Sequence, residues 1–146
     1  MAVQQISVFI QSQPGHIKRI LDSFVEYGIS VRGYSCSDTG DYGIVRFVVD
    51  NPDKAMEVLK DQGAAATLTE ILCLKINDTP GELARVFGVI SKLNMNIKYS
   101  YSLISTYIAL SVDDVARALL PHQVGMAHLE ERLDLLLDVG HGEPPR

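Results

Sequence analysis

The stretch QSQPGHIKRI, residues 11–20, is answered at an offset of 66 positions (80 − 14) by NDTPGELARV, residues 77–86. A repeated segment of this length constrains a fold more than any single motif, because each copy must form the same supersecondary unit. The agreement extends beyond the Pro-Gly pair. Ile10 falls on Ile76, Pro14 on Pro80 and Gly15 on Gly81, while Ile17, Ile20, Leu21 and Phe24 fall on Leu83, Val86, Phe87 and Ile90. The spacing i, i+3, i+4, i+7 is the stripe that a helix buries against a sheet. Ile29 and Val31 then meet Met95 and Ile97, and Gly28 meets Asn94, the two residue types best suited to closing a helix in the left-handed conformation.

Around the first helix, Ile6, Val8 and Ile10 alternate as a half-buried strand does, and residues 29–35 and 43–49 read as two more strands joined by the turn Asp38-Thr39-Gly40-Asp41. Asn51-Pro52 opens a second helix with Ala55, Met56 and Leu59 on its apolar face, and Gly63 stops it. Residues 67–69 return as a strand that runs into the next copy. That copy predicts a strand at 72–76, a helix at 80–93, a strand from Met95, a turn at 104–106 and a strand at 107–112. Asp113 is then expected to cap a helix that Pro121 ends. Met126, Leu129, Leu133, Leu136 and Leu137 favour a helical or mixed segment, although a strand over 133–139 would complete the unit. The order βαββαβ, twice, predicts an α+β chain of two ferredoxin-like repeats with antiparallel sheets, residues 1–70 and 71–146. Two such units can cover each other's open edges and faces by pairing or stacking.

Charge narrows the partners. The chain of 146 residues carries a net charge of −5, and only Lys18-Arg19 stand as adjacent cations, so nucleic acid is an unfavourable partner. Neither a basic leader nor an apolar run of membrane-spanning length is present, which gives the expectation of a cytoplasmic protein that engages no membrane. Cys36 and Cys73 are far apart and are expected to be buried strand thiols rather than a metal or redox pair. His16, His122, His128 and His141 are scattered, and no nucleotide-loop, zinc-protease or nucleophile-elbow motif occurs. No catalytic residue, metal or cofactor is expected. The pair Asp113-Asp114 reads as a helix cap, and Tyr99, Tyr101 and Tyr107 as cross-strand packing in preference to an aromatic pocket.

The repeated loop has its own chemistry. A Pro-Gly turn before a helix leaves the first backbone N–H groups without partners at the positive end of the helix dipole, and a glycine there lets a small anion approach the backbone. A carboxylate suits such a place. Asn77 or Asp78 beside it would take an ammonium group, so the pair fits an α-amino acid.

Pro-Gly at the head of the first helix, GISV and NMNI opening the second strand, and Ser37-Asp38-Thr39 with Gly43-Ile44-Val45-Arg46 in the following hairpin resemble ACT domains, and the chain is similar to small proteins built of two tandem ACT domains. The resemblance implies an amino-acid-sensing module whose ligand sits where a strand-to-helix loop meets the second strand of a neighbouring domain. Carried onto this sequence, the loops are Gln11, Ser12, Gln13, Pro14, Gly15 and Asn77, Asp78, Thr79, Pro80, Gly81, with Ser30 and Asn96 as the polar residues of the facing strands. The second loop is favoured, with Asp78 as ammonium partner and the amides of Gly81, Glu82 and Leu83 as carboxylate cradle. The expectation is therefore a non-catalytic homodimer that binds an amino acid or a related small carboxylic acid and signals to a partner enzyme. A structural interaction subunit with vestigial pockets, or a small ferredoxin-like isomerase or mutase, are the alternatives.

Overall fold

The computed structural model describes residues 1–119. The segment expected to be helical or a closing strand beyond Pro121, with His122, His128 and His141, lies outside the described residues. Ten elements follow one another: β1 (Ala2–Gln11), α1 (His16–Glu26), β2 (Val31–Asp38), β3 (Tyr42–Val49), α2 (Pro52–Asp61), β4 (Ala65–Lys75), α3 (Glu82–Lys92), β5 (Ile97–Ser102), β6 (Tyr107–Val112) and α4 (Val115–Ala118). The strands form one six-stranded sheet in the order β2-β3-β1-β4-β6-β5, and all its pairs are antiparallel.

The duplication is written into the register. Ile6 pairs with Phe47 and Val8 with Val45, while Leu72 pairs with Leu110 and Leu74 with Ile108. The offset is 66 on the first strand of each pair and falls to 63 on the second (110 − 47), because the β5–β6 hairpin is three residues shorter than the β2–β3 hairpin. Both copies also carry a bulge at the same place, between Val31 and Gly33 and between Ile97 and Tyr99. A bulge adds local twist. The helix ends match as well: Gly28 at φ 67° and Asn94 at φ 53° both turn left-handed, and the amides of Ile29 and Met95 close back on the carbonyls of Phe24 (2.8 Å) and Ile90 (3.3 Å).

What joins the copies is β4. The expected strands at 67–69 and 72–76 are one unbroken strand, Ala65–Lys75, so the division at residue 70 falls inside an element that both repeats use. Its first part pairs with β1, and its last four residues pair with β6. Three clusters of buried side chains result. Ile6, Val8, Phe47, Phe24 and Leu59 belong to a core under α1 and α2, in which the rings of Phe24 and Phe47 meet edge to face at 5.3 Å. Leu72, Leu74, Ile90, Leu110 and Ala118 form the matching core under α3 and α4. A third cluster of Val3, Val48, Ile71, Cys73, Tyr107 and Ala109 uses residues of both repeats. Alternation along β1 and β4 puts this cluster on the sheet face opposite the helices.

The inner faces stack and the outer edges meet. Gly33 on β2 bridges to Leu103 just beyond β5, and the Ile104 amide donates to the Arg32 carbonyl at 2.8 Å. Between the faces Gln5 is fully buried. Its Nε2 donates to the Tyr99 hydroxyl at 2.6 Å, and its Oε1 accepts from the Tyr101 hydroxyl at 2.7 Å. Arg46 lies 3.9 Å over the Tyr99 ring, an arrangement in which the guanidinium gains from the ring quadrupole. Tyr99 and Tyr101 thus pack as an interrepeat contact, and Tyr107 is buried in the third cluster.

Two local expectations are corrected. Asp114, not Asp113, caps α4 by accepting from the Arg117 amide at 2.9 Å. Asp113 instead accepts from the Asn96 amide at 3.0 Å, as Asp50 does from the Ser30 amide at 2.9 Å. The first residue after each third strand is spent on the neighbouring strand, and the next one caps the helix, Asn51 doing so for α2. Cys36 is exposed on the edge strand β2, whereas Cys73 is buried. Burial pushes the Cys73 thiol up to about 11. A maleimide at pH 8 is therefore expected to modify Cys36 alone in the folded chain and both thiols in denaturant. Modification of both in the folded chain, counted by mass spectrometry, would contradict this packing.

Candidate functional site

The first Pro-Gly loop is built by three local rules. The chain leaves β1 at Gln11, the Ser12 amide donates to the Asp41 carbonyl at 3.2 Å, and Pro14 removes one donor. Gly15 then takes φ 82° and ψ −4° as the residue before α1, with no side chain capping the helix. A Cβ in that conformation is strained. The His16 amide donates to the Gln13 carbonyl at 3.3 Å, no side chain caps the turn, and Gln11, Ser12, Gln13, Pro14 and Gly15 are all exposed.

Beside this loop stands the β2–β3 hairpin, brought there by the pairing of Gln11 with Tyr42. Asp38 at its tip accepts from Ser12 Oγ at 2.5 Å and from the Gly40 amide at 2.7 Å. Those hydrogen bonds, Ser12's first, hold its carboxyl below the ordinary carboxylate value. Loop and hairpin flank an open cleft of ≈ 310 Å³, with Ile10, Ile17, Cys36 and Gly43 as its floor and Gln11, Ser12, Gln13, Pro14 and Asp38 as its rim. A second depression of ≈ 370 Å³ lies against the same three loop residues, with Asp41 and Tyr42.

The second loop has the same backbone and different side chains. Gly81 takes φ 86° and ψ −4° before α3, again without a side-chain cap. Glu82, expected to lend its amide to a cradle, donates that amide to the Thr79 carbonyl at 3.3 Å. Its carboxylate accepts twice from Arg85, from Nε at 2.9 Å and Nη2 at 2.8 Å. That pairing, with a smaller contribution from the Asn77 amide, draws the Glu82 carboxyl below its usual range. Asn77, Asp78, Thr79, Pro80 and Leu83 are exposed. In the first copy His16 and Arg19 occupy the places of Glu82 and Arg85, and the His16 Nδ1 lies 3.3 Å from the Gln11 carbonyl.

Because β4 runs antiparallel to β1, the two loops lie at opposite ends of the sheet. The strand directions place Asn96 at the end of the first loop and Ser30 at the end of the second. Both are exposed, and their amides are held by Asp113 and Asp50. Two wall residues escaped the sequence reading. Asp38 reads as part of a turn and Cys36 as a core thiol. The signal for Asp38 was the βαββ order itself, which sets the hairpin tip beside the end of the first strand. Among the described residues no group of His, Cys, Asp and Glu converges to hold a metal ion, and no helix is long and apolar enough to cross a membrane.

A family model described as an ACT domain pair matches residues 1–120. The chain belongs to the ACT domain pair family. Among solved structures it is similar to protein BT0572 from Bacteroides thetaiotaomicron, with a TM-score of 0.80 and 23% identity over 88% of this chain and 90% of that one. It is also similar to the regulatory subunit of aspartate kinase from Thermus thermophilus in a ligand-free form, with a TM-score of 0.63 and 22% identity over 86% and 91% of the two chains. The corresponding subunit from Thermus flavus gives 0.60 and 20% over 85% and 91%. At these identities the likeness is one of fold. Among curated proteins no sequence matches the chain. In this ACT pair the shared strand, the twin bulges and the twin left-handed glycines are the framework that presents the loops.

Proposed function

We propose that this ACT domain pair is a regulatory module that binds an amino acid, or a related small carboxylic acid, at its Pro-Gly loops and performs no chemistry itself. One observation carries the reading: in both copies a glycine near φ 80–90° and ψ −4° precedes a helix whose first turn has no side-chain cap. Such an end offers amides and a positive dipole to a carboxylate. A carboxylate stands beside each loop for the ammonium group, Asp38 at the first and Asp78 at the second. Asn96 and Ser30, each at the end of the other copy's loop, are the proposed polar partners from the facing strands. Two of the similar folds are described as regulatory subunits of aspartate kinase, and an enzyme is accordingly the proposed recipient of the signal, with a homodimer as the signalling unit. Binding would act by favouring the arrangement of repeats to which the ligand binds more tightly.

A vestigial reading is favoured at one place only. At the second loop the Glu82 carboxylate, paired with Arg85, already stands in the first turn of α3, near where a ligand's would go.

Thermal unfolding of the whole protein against a panel of amino acids tests the proposal. A ligand at about 100 times its Kd stabilises the folded state by about 2.7 kcal/mol, and the shift is expected to vanish in the double variant Gly15→Val/Gly81→Val. No shift with any amino acid would leave the interaction-subunit reading in its place.

A further inference from the structure

The composition of the first cavity says more about the ligand than the loop does. Of the nine described residues that line it, one is charged, and that one is Asp38. The adjoining depression likewise contains one charge, that of Asp41. Among the described residues no Lys, Arg or His lines either. A ligand whose second charge is negative would therefore meet two carboxylates and no cation. The floor is apolar: Ile10 is 6% exposed, and Ile17 and the Cys36 side chain continue it. A charged side chain placed there would lose water without gaining a partner.

Asp38 is also well placed to receive. Each of its oxygens accepts one hydrogen bond, from Ser12 Oγ and from the Gly40 amide, which orients the carboxylate and leaves each oxygen a further lone pair. The donors come from the loop and the hairpin, so the group that would bind the ammonium is fixed to both walls of the cavity.

We infer that the first loop takes a monoamino monocarboxylic acid with an uncharged apolar side chain, its ammonium on Asp38 and its side chain on Ile10, Ile17 and Cys36. This rests on the amino-acid-binding reading above, narrows it to a ligand class and assigns Asp38 and Cys36 to the site. Charge excludes simple carboxylic acids without an amine and acidic amino acids from this cavity, and its apolar lining disfavours a basic side chain.

Cys36 makes the inference testable, because it is the exposed thiol of the pair. The whole protein is titrated calorimetrically with the twenty amino acids and with N-acetyl-leucine and N-acetyl-methionine, and the rate of Cys36 alkylation is followed in parallel. The expected result is saturable heat from an aliphatic or thioether amino acid, with Cys36 alkylation slowed at least tenfold at saturation. The N-acetyl derivatives are expected to be silent, and Asp38→Asn and Ser12→Ala to weaken binding by at least tenfold and by a smaller factor, respectively. Affinity should hold as pH falls through the ordinary carboxylate range and be lost only below it, since the hydrogen bonds from Ser12 and the Gly40 amide hold the Asp38 carboxyl below its usual value. Binding of aspartate or lysine, an unchanged alkylation rate, or full affinity in folded Asp38→Asn would each overturn the inference while leaving the amino-acid reading intact. Silence from all twenty, in a protein shown folded by circular dichroism, would overturn both.

Discussion

Leu72→Ala is expected to lower the free energy of unfolding by about 2–5 kcal/mol, the range for emptying a fully buried leucine site, and to leave the urea transition single. Leu72 is 0% exposed and sits where the repeats join, opposite Ala2 on one side and Leu110 on the other. Its side chain belongs to the core under α3 and α4, but its backbone is in the ladder with β1. Loss of packing in the second repeat must therefore be felt by the first. Two separate transitions, one unchanged from the parent, would show that the repeats unfold independently and that β4 does not couple them. Fluorescence of the tyrosines and far-ultraviolet circular dichroism, followed together through urea, distinguish these results.

Gly33→Val is expected to be the most damaging single change at the surface of the fold. A Cβ at this position would overlap the side chain of Leu103 and lie 3.1 Å from its Cα, a contact with backbone that no rotamer change relieves. Overpacking of this kind costs about 1–3 kcal/mol. The seam between β2 and β5 is the place where that cost would be relieved, by opening. Hydrogen exchange of the Ile104 amide, which donates to the Arg32 carbonyl across the seam, should accelerate more than that of the Leu72 or Leu110 amides. A variant with parent stability and an unchanged Ile104 amide would mean that the two edges are not held together in solution.

The parts of this fold that were legible in the sequence are those governed by local periodicity. The stripe Ile17, Ile20, Leu21, Phe24 and its counterpart gave both long helices, and Gly28 and Asn94 gave their ends, because those signals depend on neighbours within a few residues. The bulges and the Gly33–Leu103 seam were not legible, since a pairing between residues 70 positions apart (103 − 33) leaves no periodic trace. Gln5 shows the same limit: it alternates among apolar residues as a surface glutamine would, and only its two tyrosine partners from β5 explain why it is buried. At the loops the backbone was readable and the side chains were not. The left-handed glycines follow from Pro-Gly before a helical stripe. That Glu82 turns back on Arg85, and that Asp38 joins Ser12, depends on rotamers and on a neighbouring hairpin. Sequence favoured the second loop because it holds Asp78; that Asp38 is aligned beside a cavity at the first loop was not readable from it.

The most direct test of the account is the stoichiometry and ligand identity from calorimetric titration of the whole protein with single amino acids. Saturable heat from an amino acid with an apolar side chain, absent in Gly15→Val, is expected. A folded protein that gives no heat with any amino acid would contradict it.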